Sequence, residues 1–194
     1  ALAIDKAQQL SVVAGATLNI GTGNVVLTVP LDIDDGTGAL VTGLRLDMAT
    51  ADVDTGNTEL GTLTDANVLV FEVLGASLFV GTGADLNPTR TGIVTDAALG
   101  FSVNNASFSM VSVKSGTTSF TGIQVSVASA ALVGIDDFAL GMYSATAKVN
   151  LTSVGAGEKI GWETASTEVS GLLPDLAIDK AQQLSVVAGA TLNI

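Results

Sequence analysis

Apolar and polar residues alternate along much of this chain with a period of two. Leu27, Val29, Leu31 and Ile33 interleave with Thr28, Pro30, Asp32 and Asp34. Leu44, Leu46 and Met48 interleave with Arg45 and Asp47, and Ile123, Val125 and Val127 with Gln124 and Ser126. The longest run sets Tyr143, Ala145, Ala147, Val149 and Leu151 against Ser144, Thr146, Lys148, Asn150 and Thr152. Successive residues of a strand face opposite sides, so these runs predict strands with one buried and one wet face. Between Ser107 and Lys114 the parity slips: Phe108 and Met110 fall on one face, Val111 and Val113 on the other. That pattern predicts a bulge or burial on both faces. Pro30 places its strand at an edge or a bulge.

Turn residues punctuate the runs. Gly21-Thr22-Gly23-Asn24, Asp34-Asp35-Gly36-Thr37-Gly38, Thr55-Gly56-Asn57, Gly81-Thr82-Gly83 and Gly155-Ala156-Gly157 supply left-handed backbone and self-capping side chains. Helical signals are sparse. Leu2 to Leu10 admits one or two turns, and Pro174-Asp175 offers a start signal before its second copy.

That second copy is verbatim. Leu2–Ile20 reads LAIDKAQQLSVVAGATLNI, and Leu176–Ile194 reads the same, at an offset of 174 residues. Chance does not match 19 consecutive residues, and long-separated copies would have drifted. Residues 2–175 therefore read as one complete tandem repeat, and 176–194 as the start of the next. Within the period, Gly15-Ala16-Thr17-Leu18-Asn19-Ile20-Gly21-Thr22-Gly23 parallels Gly75-Ala76-Ser77-Leu78-Phe79-Val80-Gly81-Thr82-Gly83. Ser129-Ala130-Ala131-Leu132-Val133-Gly134 is a degenerate third copy. Sub-repeats starting near 16, 76 and 130 follow, at steps of 60, 54 and then 60 back to Ala190. Thr64-Asp65-Ala66, Thr95-Asp96-Ala97 and Asn104-Asn105-Ala106 form a shorter recurring phrase.

Composition narrows the architecture. Apolar residues make up 47% of the 194 residues, aromatics 4% and charged residues 13%. Small and β-branched side chains suit thin, closely stacked β-layers better than a core of large rings. The expected fold is all-β, a β-solenoid-like stack of repeats, with a tandem β-sandwich as the alternative. Cysteine is absent, so burial and backbone pairing carry the stability.

Charge and chemistry exclude more than they select. A net charge of −12 repels nucleic acid and anionic membranes, and no apolar run is long enough for a membrane span. With no His and no Cys, Ser-His-Asp triads, thiol nucleophiles and zinc sites are excluded, and catalysis is not expected. Calcium is the one cofactor with a candidate site. Asp52, Asp54, Asn57 and Glu59 place oxygen donors around a Gly turn, and Asp32, Asp34 and Asp35 form a second acidic group. The competing reading of both is a turn whose Asp and Asn side chains cap their own backbone. Trp162 is either a carbohydrate-stacking residue or core filler. Asn105-Ala106-Ser107 and Asn150-Leu151-Thr152 match glycosylation acceptors only as short, common patterns.

Between Val68 and Thr152 the chain resembles the repeats of giant secreted bacterial surface and adhesin-like proteins. The likeness rests on Ala76-Ser77-Leu78-Phe79-Val80-Gly81-Thr82-Gly83, on Gly92 to Phe101 (GIVTDAALGF), and on Ala130 to Ile135 leading to Lys148-Val149-Asn150-Leu151-Thr152. It covers a little under half the chain. The resemblance implies an exported, repeat-built, non-catalytic protein at the cell surface, of a kind often described as calcium-binding. The expected partners are neighbouring repeats of the same chain, parallel chains in a bundle, and a cell-surface glycan or protein at the tip. Three functions follow as expectations: a fibre or stalk repeat, a carbohydrate- or cell-surface-binding adhesive module, and a subunit of a self-assembling extracellular filament.

Overall fold

Thirteen strands alternate with glycine-rich turns in the computed structural model, which describes residues 8–14, 16–20, 25–30, 32–33, 40–135, 139–154 and 157–193. They are β1 (Gln8–Ala14), β2 (Ala16–Ile20), β3 (Val25–Val29), β4 (Asp32–Ile33), β5 (Leu40–Asp54), β6 (Thr62–Thr82), β7 (Asp85–Leu86), β8 (Ile93–Val94), β9 (Leu99–Ser115), β10 (Thr118–Val133), β11 (Ala139–Thr152), β12 (Ser166–Thr167) and β13 (Leu184–Asn193). The fold is all-β, and no helix occurs among the described residues. One curled antiparallel sheet dominates, in the order β1-β5-β6-β9-β10-β11-β13.

The ladders are antiparallel throughout the described residues. Short coils stacked in parallel, as in a β-solenoid, are therefore not the arrangement of this sheet. Two features favour the meander. Long alternating runs make strands of up to 21 residues, as in β6. Two-residue connections such as Gly116-Thr117, with Gly116 at φ 57°, then return the chain directly onto its neighbour.

Pro30 divides its run. β3 ends at Val29, and the next strand, β4, pairs with β5. A proline cannot donate to a ladder, so the break falls there. β3 nonetheless continues the line of β5. Both pair with β6, β5 across Thr62–Leu74 and β3 across Ser77–Val80. β1 and β2 likewise lie end to end, against β5 and β3 respectively.

The parity slip around Ser107 resolves as one buried face, carrying Ser109, Val111 and Val113, with Phe108 and Met110 half-buried on the other. Residues Ser107–Ser115 pair with β10 without a register shift, and Val111 and Val113 are fully buried. Register shifts fall opposite Ser107 at Leu74-Gly75 of β6, at Asn104-Asn105 of β9 against β6, between Gln8 and Leu10, between Ala51 and Val53, and between Tyr143 and Thr146 against β13. Asp65, Asn105 and Ser144 adopt left-handed φ of 48°, 52° and 51° within strands. Asp96, which matches Asp65 and Asn105 in the recurring phrase, lies in a turn instead.

A non-helical segment, residues 157–183, straps across one face of the sheet. Its Ile160, Trp162, Leu172, Leu176 and Ile178 pack on Ala49, Val53, Val68, Val70, Val111, Val113 and Phe120. The anticipated helical turn after Pro174 does not form. Leu176 and Ile178 alternate with exposed Ala177 and Asp179, so an extended chain buries both apolar side chains at once. Gly122 makes room for this packing: a Cβ there would stand 2.7 Å from Trp162 Nε1 and 2.9 Å from Leu176 Cδ1. A smaller cluster of Val26, Phe79, Ala84 and Ala98 forms beneath the β7–β8 hairpin.

Candidate functional site

Among the described residues the sheet leaves two open edges, and the duplicated sequence occupies both. β1 and β2 come from the first copy, and β13 comes from the second. β1 pairs Leu10–Ala14 with Met48–Leu44 of β5, and β2 pairs Ala16–Ile20 with Val29–Val25 of β3. β13 pairs Leu184–Val187 with Val149–Thr146 of β11, and Gly189–Asn193 with Tyr143–Ala139. Six antiparallel steps separate β1 from β13, so the two copies run in the same direction.

β13 carries unusual apolar exposure. Leu184, Val186, Val187 and Leu192 are 67%, 69%, 63% and 59% exposed. An uncovered edge strand of this kind is a template for further pairing. The backbone of Asn150 donates to the Gln183 carbonyl at 3.0 Å. Alternation then turns the N–H and C=O of Ser185 and Val187 toward β11, and those of Leu184 and Val186 toward the open side.

Two polar networks hold the strap that carries β13 to its place. Asn150, fully buried, accepts from Trp162 Nε1 at 3.0 Å and donates to the carbonyls of Ile160 and Asp179 at 2.9 and 3.2 Å. It is therefore no glycan acceptor, and Trp162, 4% exposed, is a core residue. Arg45 binds Asp47 Oδ2 through Nε at 2.6 Å and Glu72 Oε2 at 3.2 Å. Its Nη2 also reaches the carbonyls of Gly171 and Leu172 at 2.5 and 3.0 Å. Ser109 completes the group by donating to Glu72 Oε1 at 2.9 Å. Sequence patterning placed Arg45 and Asp47 on a wet face, but the strap covers them.

The acidic residues singled out for calcium are dispersed. Asp52 and Asp54 lie exposed near the end of β5; Asp52 Oδ1 accepts from the Asp65 amide and Asp54 Oδ1 from the Gly56 amide. Asn57 is buried. Its Oδ1 accepts from Lys180 Nζ at 3.2 Å and from the Glu59 amide at 3.1 Å, while its Nδ2 donates to the Lys159 carbonyl at 2.9 Å. The Asn57 oxygen thus already faces an ammonium group. Asp32 is in β4, and Asp34 and Asp35 lie outside the described residues. Among the described residues no three carboxylates gather in a metal-ligating group. No described helix is long and apolar enough to cross a membrane.

No protein-family model, curated protein or solved structure matches the chain. The duplicated segment and its two edges are what the molecule itself offers as a site.

Proposed function

We propose that this chain is a non-catalytic structural repeat from a long extracellular fibre or stalk of a giant bacterial surface protein. One observation carries the reading: an identical 19-residue segment forms strands at both open edges of a single sheet. A unit that ends as it begins is built to be followed by another. The acidic charge of −12 per chain supports an extended, soluble array through self-repulsion. The location at the cell surface rests on the resemblance of residues 68–152 to secreted repeat proteins.

Within this reading the repeated layer is an antiparallel sheet rather than a coil. Three related phrases lie in alternate strands of its order. Ala16–Ile20 is β2, in line with β1; Ala76–Val80 is in β6; Ala130–Val133 is in β10. Each sub-repeat of the sequence then corresponds to two adjacent strands.

Small-angle scattering on chains of one, two, three and four periods tests the proposal. The maximum dimension should rise with each added period, by a step that grows toward roughly 30 Å, the width of six strands. A dimension that stops growing after the second period would refute the fibre. A self-assembling filament of separate subunits would use the same exposed β13 edge. It predicts a native polypeptide one period long, which intact mass decides.

A further inference from the structure

We infer that the duplicated segment is a single strand shared by successive repeats, so that one β-sheet runs without interruption through the array. This rests on the tandem-array reading above and specifies its junction residue by residue.

The argument begins with register. Following cross-strand partners from β1, Val13 stands opposite Arg45, then Glu72, Ser109, Gln124, Lys148 and finally Ser185. The second-copy equivalent of Val13 is Val187, so crossing one period shifts the register by two residues. Because the shift is even, Ser11 and Val13 hold the same side of the pleat in β1 as Ser185 and Val187 do in β13. Both strands also run in the same direction. An L-residue with a given chain direction and a given side of the pleat turns its N–H and C=O to a fixed edge. Ser185 and Val187 turn theirs to β11. Ser11 and Val13 therefore turn theirs away from β5, to the open side, while Leu10 and Val12 bind β5.

The two copies are thus complementary halves of one doubly paired strand. What β1 leaves open, β13 fills with β11. What β13 leaves open at Leu184 and Val186, β1 fills with β5 through Leu10 and Val12. The second half agrees: Ala190–Asn193 pairs with β11, and the equivalent Ala16–Asn19 with β3. At the junction the exposed Leu184 and Val186 abut Met48 and Leu46 of the following repeat. Two further facts fit. Six antiparallel steps separate the copies, an even number, so polarity is restored at each junction. Leu176 and Ile178, which open the second copy, already complete the core of this repeat. The unit of folding is therefore offset from the unit of sequence.

Amide hydrogen exchange, resolved by residue, tests this on the 194-residue chain and on a two-period chain. In the 194-residue chain Ser185 and Val187 should be protected and Leu184 and Val186 should exchange about 100-fold faster. In the middle copy of the two-period chain all four should be slow. Alternating protection in that middle copy would overturn the shared strand while leaving the tandem array standing. Full protection in a two-period chain that scattering finds no longer than one period would sink the fibre and keep the strand. Proline variants give a second readout. Val187→Pro removes the N–H that donates to the Thr146 carbonyl and should raise amide exchange along β11 about tenfold in both chains. Val186→Pro should change exchange in the 194-residue chain by less than about twofold. In the middle copy it removes the N–H that donates to the Leu46 carbonyl of the following repeat and should raise exchange along that β5 about tenfold, and no effect there would refute the pairing.

Discussion

Trp162 donates its indole N–H to the side-chain oxygen of Asn150 at 3.0 Å, and both residues are buried. Asn150 is the only side chain of β11 that is fully withdrawn from solvent among the described residues. It joins the last sheet strand before β13 to both ends of the strap.

Replacing Asn150 by Ala strands the Trp162 N–H and the Ile160 carbonyl, while the Asp179 carbonyl keeps the Gln182 amide. Each unsatisfied group costs about 1–3 kcal/mol, so a loss of roughly 3 kcal/mol or more is expected from urea denaturation. A change under about 1 kcal/mol would mean that water replaces the network.

Gly122→Ala places a methyl group against Trp162 and Leu176, at 2.7 to 2.9 Å in the unrelaxed structure. Overpacking of this kind costs about 1–3 kcal/mol. The thermal midpoint should fall, and Trp162 emission should shift to the red as the ring is displaced. An unchanged spectrum would show that the strap does not press on Gly122.

Arg45→Ala leaves Asp47 and Glu72, 3% and 7% exposed, without their cation. Breaking a buried ion pair from one side costs about 3–5 kcal/mol. Replacing Arg45, Asp47 and Glu72 together by apolar residues should recover most of that loss. Denaturation of the single and triple variants checks both expectations.

Asn57→Ala removes hydrogen bonds to Lys159, Glu59 and Lys180 and should destabilise by about 2 kcal/mol. Millimolar calcium should leave the melting temperature of the parent chain within about one degree, because Lys180 already occupies the Asn57 oxygen. A rise of several degrees that Asp52→Asn and Asp54→Asn abolish would establish the calcium site instead.

Strands were legible in the sequence because alternation is local. Tyr143–Leu151 and Ile123–Val127 lie in β11 and β10, but the faces do not follow the pattern: Tyr143 and Leu151 are exposed and Asn150 is buried. Pro30 marked a true interruption. The strand-to-strand arrangement was not legible, because a period of two is the same in a parallel coil and an antiparallel meander. Nor was the strap. Ile160, Trp162, Leu172, Leu176 and Ile178 are spread through a stretch with no long alternating run, and only the sheet's face gathers them. For the same reason Asn150 read as a wet-face residue, although Ile160 and Trp162 lie just beyond it in sequence and close over it. The edges themselves were half visible: the duplication was plain, but that its copies sit at opposite ends of one sheet needed the pairing.

In the proposed array, the position of β1 and β13 at opposite edges would also fix how the molecule bears load. Tension applied through the two ends of the chain pulls across the strands, not along them. Hydrogen bonds then open a few at a time, as in a zipper, instead of resisting together in shear. Each repeat released in this way would lengthen from a few strand widths to roughly 590 Å of extended chain. Such a module yields early and absorbs work over a long extension.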